Sequence, residues 1–241
     1  MDNRFVEMMN GGFEQLGLTL TDRQLEQFYQ FYDLLVEWNK VMNLTAITEM
    51  DAVVSKHFVD SAALVKCGLD LNGQRVIDVG TGAGFPGIPL KILFPEMKIT
   101  LLDSLNKRIH FLDEVCSRLE LDHVELIHGR AEDYGRNKQY RGQFDLAVSR
   151  AVANLASLSE YCLPFVKIGG SFISYKSEKV EEEMAAAAGA VAKLGGKLEE
   201  TCSFALLPEN ARRNLVRIRK AKETPGKYPR KAGLPAKEPL A

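Results

Sequence analysis

From residue 75 onward the chain alternates short apolar, β-branched runs with longer stretches whose apolar positions recur every three or four residues. This pattern predicts strands at 75–79, 98–103, 124–128, 144–149, 170–175, 198–206 and 214–219, and helices near 86–94, 105–120, 154–166 and 178–194. Strands separated by helices imply right-handed crossovers and a parallel sheet. Only Leu207-Pro-Glu-Asn-Ala211 separates the last two strands, so a hairpin is expected and the final strand should run antiparallel. Residues 1 to about 70 read as helical. Thr21-Asp-Arg-Gln24 has the form of a capping box. Leu25, Phe28, Tyr32, Leu35 and Val36 then share a face, and Trp38 closes the run. An interruption is expected at Asn39-Lys-Val-Met-Asn-Leu-Thr45, then a helix after Thr48 with Val54, Phe58, Ala62 and Val65 inward.

The pattern divides the chain into an N-terminal helical cap at 1–70, an α/β body at 71–221 and a basic, proline-rich tail at 222–241. The cap is too short to be a separate enzyme and is expected to pack on the sheet. The stretch 212–241 holds Arg212, Arg213, Arg217, Arg219, Lys220, Lys222, Lys227, Arg230, Lys231 and Lys237 against Glu223 and Glu238, and Pro225, Pro229, Pro235 and Pro239 are expected to keep its end extended. Such a tail suggests contact with a phosphate backbone, with Arg130, Arg136, Lys138 and Arg141 extending the patch; a solubilising tail is the alternative. The net charge of −1 excludes bulk attraction to nucleic acid, so any such contact must be local. Cys67, Cys116, Cys162 and Cys202 form no C-x-x-C pair and read as reduced thiols of a cytoplasmic protein. No signal peptide or membrane span is expected. The four histidines have no metal spacing.

Chemistry concentrates after the first strand, in Arg75-Val-Ile-Asp-Val-Gly-Thr-Gly-Ala-Gly-Phe-Pro-Gly87. Gly82-Ala-Gly-Phe-Pro-Gly87 matches the dinucleotide pattern, but it begins two residues late and contains Pro86. Aligned from the strand end, Asp78-x-Gly80-x-Gly82-x-Gly84 instead resembles the first motif of S-adenosylmethionine (SAM)-dependent methyltransferases. In that reading Asp78 sits near the methionine end of the cofactor, and Gly80, Gly82 and Gly84 let backbone pass close to it. A second acid at the next strand tip should hold the ribose hydroxyls, and Asp103 stands there. Ala131 and Glu132, after the third strand, are candidates for reading the adenine edge.

The fourth strand ends at Ser149-Arg-Ala-Val-Ala153. An Asn/Asp-Pro-Pro-aromatic turn, which would hold an amine, is absent there, and so is an attacking cysteine. Guanine N7 is an acceptor that needs neither, because its lone pair is free. Arg150 is the candidate catalytic residue, able to hydrogen-bond guanine O6 or a phosphate; a structural ion pair is the alternative. Seven strands with an inverted last one match the class I, Rossmann-like methyltransferase architecture.

Trp38-Asn-Lys-Val-Met-Asn-Leu-Thr-Ala-Ile47, His57-Phe-Val-Asp-Ser61, Asp78-Val-Gly-Thr-Gly-Ala-Gly-Phe-Pro-Gly-Ile-Pro89, Ser149-Arg-Ala-Val-Ala153 and Tyr228-Pro-Arg-Lys-Ala-Gly-Leu-Pro235 together resemble the RsmG (GidB) family over nearly the whole chain. The resemblance implies a SAM-dependent methyltransferase of guanine N7 in 16S rRNA, acting on the small ribosomal subunit, expected to be monomeric. It implies cofactor contacts at Gly80, Phe85, Ala131, Glu132 and Arg150, and RNA-holding roles for Asn39, His57 and Lys176. The alternatives are an assembly factor with a vestigial SAM pocket, a small-molecule or protein methyltransferase, and, more remotely, a dehydrogenase.

Overall fold

The structure, a computed structural model of the chain, describes residues 1–150, 153–176, 180–199, 201–206 and 211–241. Helices α1 (Asn3–Glu14) and α2 (Asp22–Met42) open the chain. The capping box forms: Gln24 N–H donates to Thr21 Oγ1 at 3.3 Å, and Thr21 N–H to Gln24 Oε1 at 3.0 Å. The expected break after Trp38 falls later, because the chain stays helical to Met42 and turns at Asn43, which adopts a left-handed φ of 48°. The inward face also differs, centring on Phe28, Phe31, Leu34 and Leu35, with Tyr32 and Val36 at its margin.

The second helical run is continuous but changes pitch. α3 (Met50–Val53) passes into a π-helical turn at Val54–Val59, then α4 (Asp60–Ala62), then a 3₁₀ turn at Ala63–Cys67. The α/β body follows with β1 (Arg75–Val79), α5 (Gly87–Leu93), β2 (Lys98–Asp103), α6 (Asn106–Arg118), β3 (Val124–His128), α7 (Ala131–Tyr134), β4 (Phe144–Ser149), α8 (Leu155–Cys162), β5 (Val166–Lys176), α9 (Val180–Lys193), β6 (Gly196–Leu198), β7 (Cys202–Leu206) and β8 (Ala211–Lys220). A short α10 (Leu234–Lys237) lies near the end.

Two expectations need correction. The strand predicted at 198–206 is two pieces, β6 and β7, each pairing with β8. The helix predicted at 154–166 ends at Cys162; Pro164 sits in a 3₁₀ turn and β5 begins at Val166. Residues 207–210 of the expected hairpin lie outside the described residues, but its arms pair antiparallel from Cys202↔Leu215 to Leu206↔Ala211.

The sheet runs β3-β2-β1-β4-β5-β8-β6, with β7 also on β8. β1 to β5 are parallel, and β8 is antiparallel to β5, β6 and β7. Strand order reverses between β1 and β4, so a crevice opens beyond their carboxyl ends. Alternate residues serve opposite faces: Val76, Ile99, Leu101, Leu146 and Val148 join one core, and Ile77, Leu102 and Ala147 the other, with Phe144 joining the second core across a register shift in β4. The first core includes the N-terminal helices. Phe31 packs against Phe58, Phe85 and Phe111 at centroid distances of 5.6, 5.3 and 6.5 Å. One aromatic cluster therefore fuses α2 to the loop after β1 and to α6, and Phe13 on Phe28 adds α1 to it.

Because Phe58 is fully buried in that cluster, Phe58→Ala is expected to cost about 3–5 kcal/mol of stability. Fluorescence of Trp38, the sole tryptophan, and far-UV circular dichroism should report one coincident unfolding transition, since the cap shares its core with the sheet.

Candidate functional site

The loop after β1 is shaped from below. Asp78 is fully buried, and its Oδ2 accepts hydrogen bonds from Thr81 Oγ1 at 2.7 Å and Gly87 N–H at 2.9 Å. A side chain at Gly87 would run into Leu101, and its Cβ would stand 2.8 Å from Asp78 Oδ2. Only glycine lets α5 start this close to the sheet. Gly80, Gly82 and Gly84 take φ values of 74°, 61° and 90°, which bend the loop outward.

The loop is held from the side by Asp103. Its Oδ2 accepts from Gly82 N–H at 2.9 Å and from Arg108 Nη1 at 3.2 Å, while Oδ1 accepts from Leu105 N–H at 2.9 Å. Between loop, β2 tip and β3–α7 corner lies a cleft of about 410 Å³, lined by Gly80, Asp103, Ala131 and Glu132 among others. Four residues named from the sequence thus meet in one cavity. Arg108, Tyr161, Gly233 and Ala236 also line it. Arg108 stands five residues after Asp103, in the first turn of α6, a usable signal; nothing in the sequence marks the other three.

The remaining named residues lie elsewhere. Asp78 does not line the cleft: it is beneath the loop, and its Oδ1 has no hydrogen-bond partner. Burial pushes its carboxyl up to about 7, against the lowering pull of the Thr81 and Gly87 bonds. Phe85 is buried, stacked on His57 at 4.4 Å and set against the Arg150 guanidinium at 5.0 Å. Arg150 Nη1 donates to Lys56 O at 3.0 Å and Asp60 Oδ2 at 2.9 Å, and Nη2 to His57 Nδ1 at 3.1 Å. Asp60 Oδ1 accepts from Arg213 Nε at 2.5 Å. Arg150 therefore forms the ion pair weighed as its alternative role, outside the cleft. His57 Nδ1 lies 3.1 Å from Arg150 Nη2 and 3.2 Å from Lys56 O, and Nε2 lies 3.0 Å from Thr45 Oγ1; with Nδ1 accepting from the arginine, Nε2–H is the donor to Thr45. Burial, with Arg150 beside it, holds His57 down at about 4. Asn39 Oδ1 accepts from Thr45 N–H at 2.9 Å. Lys176 pairs with Glu183 and Ala153 O, both at 2.7 Å, and is not presented to solvent.

The tail is not extended. Arg230 grips the buried Glu160, donating from Nε at 2.9 Å to Oε1, from Nη2 at 2.7 Å to Oε2, and from its backbone N–H at 2.7 Å. Arg141 donates to the carbonyls of Thr224 and Tyr228 at 2.6 and 2.9 Å, and Arg136 to that of Pro229 at 2.8 Å. These arginines, read as part of a phosphate-facing patch, instead fold the tail onto the body.

A cleft at the switch point, with bare glycine backbone on one wall and a carboxylate on the next strand tip, fits the sugar and methionine parts of a nucleoside cofactor. Together with the antiparallel β8, it defines a class I SAM-dependent methyltransferase. A methyltransferase from Pyrococcus furiosus superposes with a TM-score of 0.54 at 17% identity, covering 80% of this chain and 98% of that one. M. jannaschii TYW2, solved with AdoMet, gives 0.52 at 16% identity over 68% of this chain and 76% of that one. The chain belongs to the GidB family, rRNA small subunit methyltransferase G, whose sequence profile matches residues 24–216. Relatives named ribosomal RNA small subunit methyltransferase G are 55% identical in Lachnoclostridium phytofermentans over 95% of both chains, and 51% identical in an Exiguobacterium species over 99% of both.

The raised Asp78 carboxyl carries a pH signature. Below pH ~4 the group is protonated in folded and unfolded chains alike; between about 4 and 7 the unfolded chain ionises first, so the stability it contributes is lost as pH rises. Urea unfolding at both pH values should show Asp78→Asn gaining on the wild-type chain by about 2–4 kcal/mol across this window.

Proposed function

We propose that this chain transfers a methyl group from SAM to N7 of a guanine in 16S rRNA of the small ribosomal subunit, working as a monomer in the cytoplasm. The observation that carries this reading is the convergence of Gly80, Asp103, Ala131 and Glu132 on one cleft in a member of the GidB family. SAM supplies a methyl group on a positively charged sulfonium, ready for displacement. In this reading the free lobe of Asp103 accepts from the ribose, the Ala131 backbone and Glu132 read the adenine edge, and the bare Gly80 backbone admits the methionine portion. Guanine N7 attacks with its own lone pair, so the protein need only hold it at ~3–3.5 Å from the methyl. In this reading Arg150, clamped by Asp60, Lys56 and His57 outside the cleft, acts on the base or a phosphate as it enters.

Transfer of labelled methyl to 16S rRNA, mapped by primer extension after N7-directed cleavage, tests the proposal. SAM uptake without transfer would favour an assembly factor, and label in a protein or small molecule would favour the other alternative. Asp103→Ala should weaken SAM binding by ~1–3 kcal/mol as the ribose bond disappears; calorimetry reads the change. With Arg230 engaged, the tail's exposed cations are Lys222, Lys227, Lys231 and Lys237. Changing Lys227, Lys231 and Lys237 to Gln should lower the salt slope of RNA binding by roughly one for each phosphate that the tail no longer neutralises.

A further inference from the structure

Two residues of the cofactor cleft come from a segment that follows the last strand: Gly233 and Ala236. Their segment meets the body at Glu132 of α7 and Ser157 of α8. Three sets of bonds hold them there. Gly233 N–H donates to Glu132 Oε1 at 2.8 Å. Ser157 Oγ donates to Pro235 O at 2.7 Å. Arg230 forms its bidentate pair with Glu160, a carboxylate with no exposed surface. A charge at that depth depends on its partner. If Arg230 leaves, Glu160 must be hydrated or protonated, and the wall beginning three residues later loses its anchor.

We propose that the segment Arg230–Lys237 is a latched wall of the cofactor cleft, so that docking of this segment and binding of SAM stabilise each other. The proposal rests on the placement of SAM in this cleft. Glu132 is the point where the two events meet. One of its oxygens orders the segment through Gly233, and Glu132 itself lines the cavity. Coupling of this kind is reciprocal: whatever affinity the docked segment adds to the cofactor, the cofactor returns as protection of the segment.

The test uses the full chain and S-adenosylhomocysteine, the demethylated product, as a stable probe beside SAM. In the wild-type chain, saturating probe should slow amide hydrogen exchange at Gly233 and Leu234 by about tenfold or more, since tenfold corresponds to 1.4 kcal/mol of added protection. In the Arg230→Met, Glu160→Gln double variant, calorimetric affinity for the probe should fall about tenfold to a hundredfold as the wall loses its order. Unchanged exchange in the wild type, or unchanged affinity in a folded double variant, overturns the latch. Asp103→Ala, at the tip of β2, separates this failure from that of the site reading. If it binds normally while the tail variant is weakened, the latch stands and Asp103 leaves the ribose. No binding by the wild-type chain refutes both readings.

Discussion

Everything at the carboxyl end of the sheet depends on one bent loop fixed between two carboxylates. A run with glycines at 80, 82 and 84 has high conformational freedom and would lose much of it on ordering. Asp78 and Asp103 offset that cost by accepting backbone N–H bonds from Gly87 and Gly82. Their environments differ. Asp103 is at a strand tip, bonded to Arg108 and open to the cleft on one side. Asp78 has no exposed surface, an unmatched oxygen and a raised pKa. The first suits ligand contact, whereas the second holds the loop that makes contact possible.

A second constraint is the aromatic cluster that fuses the N-terminal helices to the sheet. It seats the π-helical turn against the end of β4, where Lys56 O, His57 Nδ1 and Asp60 Oδ2 all reach Arg150. π turns are frequent at functional sites, and Lys56 and His57 lie in this one while Asp60 opens the α-helical turn that follows. Asp60 then ties β4, through Arg150, to β8, through Arg213. The antiparallel β8 is thereby cross-linked to the cap by charge.

Local signals in the sequence were strong where one residue type had one physical use. Gly80, Gly82 and Gly84 each take positive φ, and the Thr21–Gln24 capping box formed as written. The parallel sheet with its inverted last strand follows from helices that separate every pair but the last. What the sequence left illegible depends on contacts between distant residues. Asp78 and Asp103 both end strands, and only tertiary burial assigns one to the loop and the other to the cleft. Arg150 carries the same side chain whether it meets a base or Asp60, 90 residues away. The split of 198–206 into β6 and β7 reflects pairing with two parts of β8, which no local period reveals.

The tail is the clearest case of composition misleading. Ten cations against two acids over residues 212–241 read as a solvent-facing run, yet Arg230 meets a buried carboxylate and Lys220 Nζ is buried against Thr224 Oγ1. Beyond residue 224, Tyr228, Pro229 and Pro235 are buried, and directional bonds from Arg136, Arg141, Arg230 and Ser157 fix the backbone beside them. Segments held this way open at lower free energy than a packed core does. A wall held by a few bonds can gain order from a ligand beside it, whereas the cap, packed by its aromatic cluster, has little order left to gain.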